Sequence, residues 1–158
     1  MLALCAELDS WCGTTWKTTY GKLVVLSGLR SITLAVVGFI DREAALLHLR
    51  IVGVDCPECR GRSAAESEVA KLVRDAVRGL VKEELLRAHI SKTDKYGRCL
   101  GDVELPEHCV PACIEQRPAF LSHLLLQLGL ARSYDGSSTR KAFSNEELSA
   151  TREALRIF

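Results

Sequence analysis

The chain has 158 residues, 47% of them apolar and 26% charged, and its 21 basic and 20 acidic side chains leave a net charge of +1. That length and composition describe one globular domain with its own core and exclude a disordered tail or a fibrous repeat. A net charge near zero excludes a global pull on nucleic acid, so any such binding must rest on a local basic patch.

The N-terminus, Met1-Leu-Ala-Leu-Cys5-Ala-Glu7, lacks a basic region and reaches acids too early for a secretory signal. No apolar run is long enough to cross a membrane uninterrupted by charge. Seven cysteines, an odd number, then point to reduced thiols in an intracellular compartment. Residues 1–21 are expected to be an extension. It carries Trp11 and Trp16 without a clear period, and it packs on the domain or meets a protein partner.

Residues 21–54 read as strands. Leu23–Leu26 is a short apolar run, Ile32–Phe39 is β-branched and apolar, and Leu46–Val54 follows a polar Asp41-Arg42-Glu43 turn. Leu47, Leu49 and Ile51 alternate with His48, Arg50 and Val52, which puts Arg50 on the face away from the core. From Ser63 the period changes. Val69, Leu72, Val73, Ala76, Val77 and Leu80 fall at helical spacing and predict an amphipathic helix over 64–81. Residues 84–104 return to strand character, with Lys95-Tyr96-Gly97 as a turn.

Residues 105–118 hold three prolines and read as a long loop, a second stretch open to a partner. Phe120, Leu121, Leu124, Leu125 and Leu128 mark a second helix ended by Gly129. Ser144 with Glu147 is a capping box for a last helix reaching about Arg156. Strands, a helix, strands, then two helices make an α+β order.

Four stretches in order carry a resemblance. They are Arg50-Ile-Val-Gly-Val-Asp55-Cys56-Pro57-Glu58, Thr93-Asp94-Lys95-Tyr96-Gly97-Arg98, Leu128-Gly-Leu-Ala-Arg132-Ser-Tyr134-Asp-Gly136, and the closing Glu153-Ala-Leu-Arg-Ile-Phe158. Together they resemble the thermonuclease, or staphylococcal-nuclease-like, family over residues 22–158.

The resemblance implies a five-stranded OB-type β-barrel with three helices. It implies an enzyme that hydrolyses DNA or RNA phosphodiesters. Asp55 would bind Ca²⁺ with the Cys56 backbone carbonyl, and Glu58 would activate water. Arg50 and Arg98 would hold the phosphate and its transition-state charge, their planar forks matching its oxygens. Beside the resemblance, Tyr96 and Tyr134 can stack on a base of a single-stranded substrate, or equally serve as half-buried packing with the hydroxyl satisfied, and Lys95 is a further candidate substrate contact.

One piece departs from the pattern. Where the family places Asp-Gly-Asp-Thr, this chain has Ser27-Gly28-Leu29-Arg30-Ser31, so Arg30 or Leu29 stands in place of the second metal-binding aspartate. One carboxylate compensates a calcium ion poorly, and an arginine there can pair with Asp55 instead. The expectation is therefore a nuclease with weakened calcium dependence, beside an inactive relative that binds nucleic acid or protein.

The cysteines offer a separate reading. Cys56-x-x-Cys59 with Cys109-x-x-x-Cys113 has ligand spacing for zinc, against the alternative of scattered thiols. The basic residues Arg60, Arg62, Lys92, Lys95, Arg98, Arg132, Arg140 and Lys141 are candidates for a phosphate-tracking patch. The four histidines are dispersed and read as structural or exposed.

Overall fold

The protein is described here by a computed structural model covering residues 17–28, 31–37, 44–81, 84–96, 98–136 and 141–158, with side chains from residue 48 onward. Trp11, Trp16, Arg30, Asp41, Gly97 and Arg140 lie outside the described residues.

β1 (Lys17–Gly28), β2 (Ser31–Val37) and β3 (Ala44–Ile51) form an antiparallel meander. β5 (Leu85–Thr93) and β6 (Cys99–Glu104) form a second antiparallel pair. β1 pairs with β5 over Lys17–Lys22, and β3 runs parallel to β6 over Leu49–Ile51, so the order β1-β2-β3-β6-β5 closes on itself. β1 begins at Lys17, so the stretch read as an extension already supplies the residues that close the sheet.

The run read as one strand over Leu46–Val54 is broken. Gly53 adopts φ 77°, and the chain re-enters extended conformation as β4 (Val54–Asp55). A positive φ suits glycine, which has no Cβ to clash. β4 then pairs with β7 (Arg132–Ser133), a strand the sequence did not announce.

α1 (Ala64–Val81) has the predicted limits. Its apolar stripe, Val69, Val73, Val77 and Val81, is buried together with Leu49, Ile51, Leu86, Ala88 and Val103 of the sheet. α2 (Leu121–Gln127) adds Leu121, Leu124 and Leu125 to the same core, and α3 (Asn145–Ala154) adds Leu148.

Gly129 ends the second helical stretch at φ 65°. Ser144 caps α3 as expected: its hydroxyl accepts from the Glu147 N–H, while the Glu147 carboxylate accepts from the Ser144 N–H. A single 3₁₀ turn continues α3 through Ile157. The proline-bearing loop contains another such turn, Glu107–Cys109, and is tied back to the sheet by the Leu105 N–H donating to the Ala119 carbonyl at 2.8 Å.

At Gly101 the strands approach so closely that a Cβ would lie 2.0 Å from the His89 carbonyl oxygen. This is where β5 carries a bulge between Ile90 and Lys92. Among the described residues no helix is long and apolar enough to cross a membrane.

Candidate functional site

The parallel β3–β6 ladder sets Arg50 opposite Leu100, one residue from the turn that delivers Arg98. Leu49 and Ile51 are buried and Arg50 is half-buried, so its side chain leaves the core face as the alternation requires. Arg50 and Arg98 line one cavity of about 780 Å³, together with Lys92, Lys95, Tyr96 and Tyr134. Four cations, two carboxylates (Asp94 and Asp135) and two phenol rings therefore border a single hollow, with the cations in excess. The cations can neutralise phosphates, and the rings can take stacked bases.

The turn is organised by Asp94. One carboxylate oxygen accepts from the backbone N–H groups of Tyr96, at 2.9 Å, and Arg98, at 3.0 Å. The other accepts from the Arg98 guanidinium at 2.7 and 2.8 Å. Desolvation works against the Asp94 charge, but the donors from Arg98 and Tyr96 outweigh it and hold the carboxyl below its ordinary range. Tyr96 is 71% exposed, with the Arg98 guanidinium 5.3 Å and the Lys95 ammonium 5.1 Å from its ring centroid. Both cations sit within cation–π range of that ring.

Asp55 is only 1% exposed, and its register partner across the small sheet is Arg132. Arg132 Nη2 and Nε reach Asp55 Oδ2 at 2.9 and 3.2 Å. The same guanidinium donates to Glu147 of α3 at 3.2 Å and to the Lys141 carbonyl, and it lies 4.1 Å from the Phe143 ring centroid.

Among the described residues this arrangement does not fit calcium. The ion needs several oxygen ligands with net negative charge, whereas a guanidinium occupies an oxygen of the one expected carboxylate. The residue proposed from sequence to do this, Arg30, lies outside the described residues; the arginine seen on Asp55 is Arg132. Its register partnership across the small sheet, not membership of a basic patch, explains where Arg132 goes.

Glu58 is half-buried, and neither it nor Asp55 is among the described lining of the Arg50–Arg98 cavity. Its loop is fixed by a residue that sequence reading passed over. Glu66, in the first turn of α1, is 2% exposed. One of its oxygens accepts from the Glu58 N–H at 3.2 Å, the other from the Arg62 N–H at 3.1 Å. The Ser63 hydroxyl accepts from the Glu66 N–H at 3.0 Å. The signal was present as Ser63-x-x-Glu66, the same spacing recognised at Ser144 and Glu147. Gly61 leaves room for this carboxylate: a Cβ there would stand 2.6 Å from Glu66 Cδ.

The four-cysteine zinc reading fails on geometry. Cys56 and Cys109 are buried, Cys59 is half-buried and Cys113 exposed. No group of three or more close metal-ligating donors among the described residues contains two of them. No curated protein matches the chain. A family model described as Staphylococcal nuclease homologue matches residues 48–157, most of the chain, and the protein therefore belongs to the staphylococcal-nuclease-like family.

Proposed function

We propose that this OB-type barrel binds single-stranded nucleic acid through the cavity bordered by Arg50, Lys92, Lys95, Tyr96, Arg98 and Tyr134, and that it does so without calcium. The observation that carries this reading is the Asp55–Arg132 pair beside a cation-lined hollow. The cations expected to hold phosphate border one hollow, while the carboxylate expected to hold the metal pairs with a guanidinium. Arg50 and Arg98 take the phosphates, Lys92 and Lys95 extend the track, and Tyr96 offers an exposed face to a base. Both arginines sharing one cavity also favours a second reading, a residual phosphodiesterase in which Glu58 activates water.

Titration of a labelled single-stranded DNA at several salt concentrations tests the proposal. Four phosphate contacts give a slope of log affinity on log salt of about −3, and Arg98→Ala makes it shallower by about 0.7. Binding that ignores salt sinks the proposal. In parallel, the chain is incubated with single-stranded DNA and RNA, with calcium or with a chelator. No cleavage above that of Glu58→Ala is expected. Calcium-dependent cutting that Glu58→Ala and Arg98→Ala both abolish would establish the second reading instead.

A further inference from the structure

We propose that Glu84, His108 and Cys109 form a binding site for a zinc-class transition-metal ion, on a part of the molecule separate from the phosphate cavity. Their ligand atoms, a carboxylate oxygen, an imidazole nitrogen and a thiol sulfur, all lie within 4.8 Å of one another. His108 Nε2 and Glu84 Oε1 are already 3.0 Å apart. Ligands of a tetrahedral zinc ion sit roughly 3.5 Å from one another, given metal–ligand lengths of about 2.0–2.3 Å. Closing the set therefore takes a small side-chain adjustment and no movement of the strands.

The surrounding backbone holds these residues in place. His108 and Cys109 are consecutive on the 3₁₀ turn Glu107–Cys109, which is fixed by the Cys109 N–H on the Pro106 carbonyl at 2.9 Å and the Val110 N–H on the Glu107 carbonyl at 3.2 Å. Glu84 sits between α1 and β5, with its N–H directed at the Val81 carbonyl at 3.3 Å. The thiol forms the floor, with Cys109 only 3% exposed. The imidazole forms the rim, its side chain 68% exposed, so an ion has a path in from solvent.

The donor set selects the class of metal. A thiolate with one imidazole and one carboxylate suits zinc or cobalt and is wrong for calcium, which takes oxygen only. Three protein ligands leave a fourth position for water. A bound ion would tether the proline-bearing loop to the α1–β5 junction, adding to the His108–Glu84 contact that already links them.

The test uses the full chain, stripped of metal and kept reduced, titrated with Co²⁺ and then Zn²⁺. One equivalent of Co²⁺ is expected to give a thiolate-to-cobalt charge-transfer band, and Zn²⁺ is expected to remove it. Cys109→Ser should abolish the band. His108→Ala and Glu84→Gln, both at exposed or half-exposed positions, should weaken binding roughly tenfold or more. They keep the test decisive if the buried Cys109 variant does not fold. Cys56→Ser and Cys113→Ser should leave the band in place. The proposal is overturned by no band in the wild type, by a band indifferent to His108→Ala and Glu84→Gln, or by one lost with Cys56→Ser. None of these outcomes depends on whether the chain binds nucleic acid.

Discussion

Asp102 is a buried carboxylate with all its described partners on hand. Its oxygens accept from the Val103 N–H at 2.8 Å, the Ser122 N–H at 3.2 Å and the Ser122 hydroxyl. Burial nevertheless dominates and pushes its pKa above the ordinary carboxylate value, with Ser122 and Val103 pulling the other way. A carboxyl whose folded pKa is raised contributes stability that is full below the unfolded value and lost as pH rises through the folded one. Asp102→Asn keeps an oxygen for both N–H groups and can donate an amide hydrogen to the serine hydroxyl. The variant should therefore gain stability on the wild type as pH rises from 4 toward neutrality. Urea midpoints measured across that range check this, and a gap that is constant or narrows with pH would refute it. Nothing in the sequence marked Asp102, because its partner lies on α2 and only the docking of that helix on β6 joins them. Arg132 was hidden for the same reason, as one arginine among many until β7 paired with β4.

Elements with a local cause were legible. The period of α1 predicted both of its ends, since a helix 18 residues long presents its stripe several times over. The cap of α3 was legible from Ser144 and Glu147, whose reciprocal bonds need only residues three apart. The two-residue strands β4 and β7 were not, because no periodicity can show in so short a run.

The loop carrying Glu58 falls between these cases. It has no regular structure, yet a helix residue holds it at two backbone N–H groups. Glu66→Gln leaves one oxygen where two accepted, so one part-buried N–H loses its partner, at a cost of about 1 kcal/mol. A lower urea midpoint and faster hydrogen exchange at the Glu58 or Arg62 amide are expected. An unchanged midpoint with unchanged exchange would remove Glu66 from this role.

For the whole molecule, Arg132 acts as a junction between the small sheet, α3 and the segment leading into α3. Arg132→Ala takes from the buried Asp55 the guanidinium bonded to its Oδ2, and breaking such a pair costs on the order of 3 kcal/mol. A melting temperature several degrees lower is expected. The wild type should melt at the same temperature with and without millimolar calcium, because a ligand that bound the folded chain would raise it. A calcium-dependent rise in the wild type would contradict the commitment of Asp55 to Arg132.

The β3–β6 seam also has a bearing on when function appears. It is short, parallel, and joins Leu49–Ile51 to Cys99–Gly101 across the whole of α1 and β5. Contacts so remote along the chain demand that a long loop be closed before they return any stability. Arg50 rides on one side of that seam, and Arg98 stands at the start of the other. Until it zips, the two guanidiniums belong to separate pieces of chain and present no common hollow to an anion. The proposed phosphate affinity is thus expected late in folding, absent from any intermediate that has built its helices and hairpins but not yet closed this ladder.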